Sequence, residues 1–379
     1  MKKSLKFKKL ILLSCLLIYP LLSFSGTHKF ENGRIEIAIS TKKEFKANQY
    51  PLESSIVSFI NNATTTLDIA VQEIRWGHKV LGTNPIKEAI HKRAENEIKI
   101  RIILEKSYLK EGSDNMDTFN TLSAHPNIEM ISDKNSAIMH NKFVVRDYGT
   151  SNAALLTGST NFTDTGVRRN YNHVVIIHFN GQRKKYFEIL DKYNDEFNEL
   201  WAGTYGKKEP GFEIPYYRLG RSTIRVLHSP DNDPDDYLLK LLTDAKSSID
   251  VMMFTFGSNS SLMSGVINRF YAVKYVNRRP TKEKKVKIRV GMESQQAKYW
   301  SAYPTFKTLG VPLKLETNPE AKLHHKTAII DNATVVLGSY NWTMSANEKN
   351  DENVIVIKNK GIAQVFTQAF EELWNKVLR

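Results

Sequence analysis

Apolar residues along this chain fall into short alternating or unbroken runs and longer stretches with helical spacing, and the two kinds take turns. Alternation over residues 34–40 predicts an opening strand, and the spacing over 52–61 predicts a helix. The run LDIAV at 67–71 reads as a buried strand, 86–96 as a helix, IKIRIIL at 98–104 as the next strand, and 128–131 as a short one. A long amphipathic stretch over 184–201 closes the series. From Thr223 the same order begins again, with a helix over 237–245 behind an acidic cap run, IDVMMF at 249–254 matching LDIAV, and VKIRVGM at 286–292 matching IKIRIIL. Phe370 and Trp374 close the second series as Phe197 and Trp201 close the first. Strands, helices and closing pair recur in one order, which is the mark of an internal duplication. The expected architecture is therefore α/β, two similar sandwich domains with helices on a mixed sheet.

The Gly- and Pro-bearing segment around Gly206, Pro210, Gly211, Pro215 and Gly220 is the natural joint. The expected domains are 26–205 and 223–379, with 206–222 between them. Residues 1–25 stand apart. Lys2, Lys3, Lys6, Lys8 and Lys9 form a basic head, an apolar run follows to Phe24, and Ser23-Phe24-Ser25 is a small-x-small triplet. That pattern predicts an export signal cut near Gly26, with an uncleaved membrane anchor or a lipid-modified Cys15 as the competing readings. Cys15 is the only cysteine, so a chain beginning near Gly26 has no disulfide and no cysteine-based zinc site. At 379 residues with 41% hydrophobic residues, the chain can bury two cores. Its formal net charge of +14 biases it toward polyanions, whether nucleic acid or an anionic lipid surface.

The candidate chemistry lies in the part of each series that periodicity does not explain. In the first, His140, Lys142 and Asp147 precede Gly158, Ser159 and Asn161; in the second, His324, Lys326 and Asp331 precede Gly338, Ser339 and Asn341. Residues two apart on a strand share a face, so each His lies beside its Lys, and the returning strand brings Gly-Ser-x-Asn back to them. Such a cluster offers an imidazole, an ammonium, a hydroxyl and a carboxamide around one point, donors suited to phosphate oxygens. Histidine can serve as nucleophile when neutral and as acid when charged, and displacement at a phosphodiester needs one of each, on opposite sides of phosphorus. Two clusters facing one another across a pseudo-twofold interface supply both. Asp147 and Asp331 are counted with the catalytic set, but their position at the turn reads as structural, capping it or pairing with a base, before it reads as directly catalytic.

These residues resemble the phospholipase D superfamily, whose His-x-Lys-x4-Asp with a downstream Gly-Ser-x-Asn occurs twice here. The resemblance implies one active site at the interface of two α/β domains, a covalent phosphohistidine, and neither cofactor nor metal. It makes His140 and His324 the nucleophile and the acid. Lys142, Lys326, Asn161 and Asn341 then hold phosphate oxygens, with Ser159 and Ser339 in support. The second motif, GSYNWT followed by NDEN, resembles the branch of small bacterial nucleases and mitochondrial cardiolipin hydrolases. Glu352 fits the acidic residue that orients a motif His in this family, whereas the matching position in the first half is Asn172. The expectation is that Glu352 supports His324 as the resting acid and leaves His140 as nucleophile.

The expected activity is an exported, monomeric phosphodiesterase acting on a phospholipid, with possible association at a membrane surface. A nuclease with the same residues, a phospholipid synthase and a noncatalytic lipid- or nucleic-acid-binding protein are the alternatives. Among the other signals, Pro234 breaks any calcium-loop reading of the run from Asp231 to Asp236. The basic residues of 274–289 suit either a solvated loop or a polyanion-binding rim.

Overall fold

The computed structural model describes residues 26–41, 50–77, 83–179, 187–206, 216–276, 279–282, 285–298 and 300–379. The expected export signal and residues 207–215 of the expected joint lie outside them. The first half runs β1 (Gly26–Phe30), β2 (Ile35–Ile39), α1 (Pro51–Asn61), β3 (Thr66–Val71), β4 (Ile74–Arg75), α2 (Pro85–Glu95), β5 (Lys99–Leu104), α3 (Asp114–Ser123) and β6 (Ile128–Ser132). It continues with β7 (Lys142–Arg146), β8 (Ala154–Gly158), β9 (Phe162–Thr163), α4 (Asp164–Arg168), β10 (His173–His178) and α5 (Glu188–Trp201). The second half follows as β11 (Tyr217–Leu219), β12 (Ser222–Ser229), α6 (Pro234–Asp244), β13 (Ser248–Met253), α7 (Ser261–Phe270), β14 (Val273–Val276), β15 (Arg279–Lys282) and β16 (Lys287–Glu293). It ends with α8 (Tyr303–Thr308), β17 (Leu313–Glu316), β18 (Lys326–Ile330), β19 (Thr334–Gly338), α9 (Met344–Glu348), β20 (Glu352–Lys358) and α10 (Lys360–Lys376).

The duplication read from the chain is present strand for strand. One eight-stranded sheet has the order β1-β2-β10-β8-β7-β3-β5-β6 and the other β11-β12-β20-β19-β18-β13-β16-β17. In each, three strands on one side are parallel and the rest antiparallel, the mixed sheet expected. Strand β11 falls inside the segment expected to be a joint, yet it pairs with β12 as the edge of the second sheet. Three residues after a glycine-rich run are too short for periodicity to register.

Each sheet has an outer core against its own helices and shares an inner one. Helix α10 buries Ile362, Phe366, Ala369, Phe370 and Leu373, the i, i+4, i+7, i+8, i+11 stripe of an amphipathic helix, and Asn359 caps it by accepting from the Gly361 and Ile362 N–H groups. Helix α5 does the same with Ile189, Leu190, Tyr193, Phe197 and Leu200. Side chains from both helices and both sheets form one continuous apolar cluster, so the two halves are joined by core rather than by surface contact. The repeated closing aromatics have a structural task. Arg101, paired with Asp68, lies over Phe197 and Trp201, and Arg289, paired with Asp250, lies over Phe370 and Trp374.

The basic stretch of 274–289 falls on the β14–β15 hairpin and the start of β16, with 277–278 and 283–284 outside the described residues. Its β14–β15 hairpin feeds the N-terminal end of β16, whereas Lys326 sits level with Met253 and Met292, at the C-terminal ends of β13 and β16.

Candidate active site

Strands β7 and β18 carry the two His-x-Lys motifs to the interface between the halves. Short parallel bridges hold the chain there: Met139 pairs with Asp351, and Tyr171 pairs with Leu323, one crossing in each direction. The backbone N–H of His140 donates to the Asp351 carbonyl at 2.9 Å, and that of His324 to the Tyr171 carbonyl at 3.0 Å. Both imidazoles and both ammonium groups are buried, His140 and His324 at 7% exposure each, Lys142 at 1% and Lys326 at 2%. The charges of His140 and Lys142 are felt at His324, and that of Lys326 at His140.

Support for each imidazole comes from the opposite half, which corrects the expected pairing of Glu352 with His324. The His140 Nδ1 lies 2.7 Å from Glu352 Oε2, whereas His324 Nδ1 faces the Asn172 Oδ1 at 2.9 Å and the Ser159 carbonyl at 3.1 Å. The Asn172 amide is oriented by donating to the Gly166 carbonyl at 2.9 Å, so the oxygen faces the ring and the proton of neutral His324 sits on Nδ1. In both rings Nε2 is left for chemistry. The physical reason for the crossing is the pair of interface bridges, which set each Gly-Ser-x-Asn strand end beside the other half's histidine.

The serines are also placed differently from expectation. Ser159 Oγ donates to Asn172 Oδ1 at 2.8 Å, and Ser339 Oγ to Glu352 Oε2 at 2.6 Å, both with no exposure. Their hydroxyls are spent on the groups that orient the imidazoles, and so they are not phosphate donors. Asp147 and Asp331 are farther still from the chemistry, at the opposite ends of β7 and β18. Asp147 accepts from the backbone N–H groups of Thr64, Thr65 and Thr66, and Asp331 from those of Lys246, Ser247 and Ser248. Burial alone would raise Asp147, but these bonds outweigh it and hold the carboxyl below its usual range. Both aspartates, counted with the catalytic set, are structural, as their turn position suggested, and anchor the loop before β3 or β13. The motif glycines answer a packing need as well. A Cβ on Gly158 would lie 2.3 Å from the His173 carbonyl oxygen and one on Gly338 2.1 Å from that of Asn353, with φ of +158° and +136°. The close approach is to the backbone of the neighbouring strand.

Electrostatics follow from burial. Removal from water pulls His140 down to about 4, partly opposed by Glu352, and pulls Lys142 down to about 7 against the raising influence of Glu352, Glu73 and Glu105. Burial and the neighbouring lysines push His324 well below its usual value, and burial with Lys142 does the same to Lys326. Burial would raise Glu352, but His140, Lys142 and Ser339 hold it below the ordinary carboxylate range. An anion between the lysines opposes the desolvation and restores their charge, which is what a phosphate would do. Lys142 Nζ donates to the His140 carbonyl at 2.6 Å; Lys326 Nζ donates to the His324 carbonyl at 3.0 Å and sits 4.7 Å over the Phe254 ring. Trp342, beside Asn341, is buried against Phe256 and packs behind the site. Among the described residues, carboxylates able to share a cation are Glu196, Glu199 and Asp231, none of them a motif residue.

A second histidine pair, absent from the expected site, lies just behind. His173 and His325 stack with centroids 5.3 Å apart and share an Nδ1···Nδ1 hydrogen bond of 3.0 Å, both fully buried. The Gly338 N–H donates to His173 Nε2, so His173 donates through Nδ1 and His325 accepts. A further proton on the accepting nitrogen breaks the bond. Burial pulls His325 down to about 3 and, with His325 beside it, His173 well below its usual value. Both folded values lie below the unfolded one, so this stability is complete above about pH 6.5 and falls as pH drops toward 3, by about 1.4 kcal/mol per group per pH unit. Thermal melts from pH 7 to 5 should show a falling Tm. Replacing both residues by Asn, the type found at the matching positions Asn353 and Asn141, should lessen that slope without abolishing it, since burial lowers His140, His228 and His324 too, and an unchanged slope would locate acid sensitivity in those.

A family model described as cardiolipin synthase, PLD-like domain, matches twice, over residues 56–201 and 238–374. The mitochondrial cardiolipin hydrolase of Xenopus tropicalis is 29% identical over 140 residues, 37% of this chain and 60% of that protein. A phospholipase D of Rickettsia prowazekii is 30% identical over 164 residues, 41% of this chain and 71% of the relative. The chain thus spans less than two thirds of the cardiolipin hydrolases it matches, 60% of one and 50% of another. The solved phosphatidylserine synthase of Haemophilus influenzae superposes with a TM-score of 0.60 at 12% identity, covering 93% of this chain and 88% of that one, a likeness of fold.

Proposed function

The chain belongs to the phospholipase D superfamily, and on that premise we propose that it hydrolyses a phospholipid phosphodiester through a covalent phosphohistidine formed on His140. The observation that carries this reading is the crossed, unequal support of the two imidazoles, a carboxylate for His140 and an amide for His324. Attack by neutral His140 Nε2 forms the N–P bond and leaves positive charge on the ring, and Glu352 at 2.7 Å opposes that charge. As the P–O bond breaks, His324, charged once the phosphate is bound, passes its Nε2 proton to the leaving alcohol. Its amide partner orients the ring without stabilising the imidazolium, which makes it the readier donor. Neutral His324 then takes a proton from water, whose oxygen attacks phosphorus and frees His140. Lys142, Lys326 and the Asn341 amide hold the nonbridging oxygens, and no step calls on a metal.

Lipid as substrate is supported by the relatives, whose names are cardiolipin hydrolase and phospholipase D. The basic head and apolar run of residues 1–25 support export to the compartment where the enzyme acts. A second reading, cleavage of nucleic acid by the same residues, is favoured by the net charge of +14. The purified protein, with chelator present, should release phosphatidylglycerol from cardiolipin vesicles and ethanolamine from phosphatidylethanolamine vesicles, and leave plasmid DNA intact. Cut DNA with untouched lipid would transfer the reading to nucleic acid. Inactivity that added metal restores would overturn the mechanism.

A further inference from the structure

The two asparagines of the motifs are not equivalent. Asn341 Oδ1 accepts from the Thr255 N–H at 3.2 Å, which leaves its amide nitrogen for a phosphate oxygen. In the first half the amide nitrogen is already taken. Asn161 Nδ2 donates to Glu73 Oε1 at 3.0 Å and to Gln72 Oε1 at 3.2 Å, and its own Oδ1 is buried without a partner. The strand register matches Val71 and Lys142 with Met253 and Lys326, so Gln72 and Glu73 stand where the second half has Phe254 and Thr255. A buried carboxylate, 6% exposed, thus lies within hydrogen-bond reach of a motif asparagine in a site built for an anion.

This side of the site presents acceptors: the Glu73 carboxylate, the Gln72 carbonyl, which also receives Lys142 Nζ at 3.4 Å, and the Asn161 carbonyl. Acceptors repel phosphate oxygens and bind hydroxyl or ammonium donors. Glu73 Oε2 is held by Arg75 Nε at 2.9 Å, so the carboxylate is fixed in place and its charge is balanced. Arg75 in turn lines a surface cavity of 670 Å³ with Ser107, Tyr108, Lys110, Ser113 and Asp114. The lining carries two cations, Arg75 and Lys110, against one anion, Asp114, and Glu73 behind Arg75 brings a second, a balance suited to a polyol or amine.

We propose that Glu73 and the cavity beyond Arg75 form a head-group subsite for a leaving alcohol that carries hydroxyl or primary ammonium donors. The subsite rests on the phosphodiesterase reading and adds to it the chemical class of the leaving group. Phosphatidylethanolamine and phosphatidylcholine are the sharpest pair to compare, because both head groups are cationic and only the first can donate.

The test measures kcat/KM in mixed micelles of phosphatidylethanolamine, phosphatidylglycerol or phosphatidylcholine, and on bis(4-nitrophenyl) phosphate. The full chain should prefer the two donor-bearing lipids over phosphatidylcholine by roughly 10- to 100-fold, the range of a hydrogen bond to a charged group. Glu73→Thr, the residue type of the other half, should bring that ratio within about threefold of unity, and the isosteric Glu73→Gln should give an intermediate ratio and guards against misfolding. A merely structural Glu73 would change all rates together and leave the ratio alone. Equal rates on the three lipids in the unaltered protein, or a ratio unmoved by both substitutions, would overturn the subsite while nitrophenyl ester turnover still upholds the phosphodiesterase reading. Absence of turnover on every diester, the nitrophenyl ester included, would overturn both.

Discussion

His140→Ala should lower turnover of any diester by roughly 10⁴-fold or more, because it removes the only atom that forms the bond to phosphorus. His324→Ala should be as damaging on a lipid, whose alkoxide leaves only with a proton, but not in the same way on a nitrophenyl ester. Nitrophenolate leaves unaided, so His140 can still be phosphorylated, and the step that fails is activation of water. The expected result is a burst of about one equivalent of nitrophenol per enzyme followed by near silence. His140→Ala should show no burst. Equal bursts from both variants, or a fully active single variant, would mean that the rings do not share one phosphorus. Both variants should remain folded, which thermal melts check, since the apolar cluster that joins the halves is built from other side chains.

Glu352→Gln is the second large effect. Glutamine can still accept from His140 Nδ1, as Asn172 does for His324, so the tautomer survives and the charge alone is lost. A charge-assisted hydrogen bond contributes about 1.5–3 kcal/mol, so kcat should fall roughly 10- to 150-fold. Glu352 raises His140 from the low value that burial imposes, and its removal therefore lowers that pKa further. The acid limb of kcat/KM, where His140 becomes protonated and can no longer attack, should move to lower pH. An acid limb that stays in place while the alkaline limb moves down would make His140, the partner of Glu352, the acid and not the nucleophile.

The crossing that both predictions use was not legible in the chain. Spacing within one hairpin places His140 beside Lys142 and brings Asn161 back near them, because strand period and turn residues are local. The order of elements shows the duplication for the same reason, and so the whole two-sheet architecture was open to reading. Which half Glu352 serves depends on contacts between residues far apart in sequence, those of Met139 with Asp351 and Tyr171 with Leu323. No periodicity encodes a pseudo-twofold axis. The structural character of Asp147 and Asp331 was legible from their place at a turn, but their partners were not, because the three backbone N–H groups that each accepts belong to a loop far away in sequence. The serines misled, since a hydroxyl beside a phosphate site is a plausible donor until its bond to Asn172 or Glu352 is seen. Glu73 left no signal except its mismatch with Thr255, visible once the two halves are set in register.

One measurement bears on all of this at once. Full-length protein mixed with a ³²P-labelled diester, quenched in base within milliseconds and digested, should yield a single labelled peptide carrying phosphohistidine at His140. Label on His324 would invert the roles assigned to the two halves, and label on neither would contradict a covalent phosphohistidine altogether.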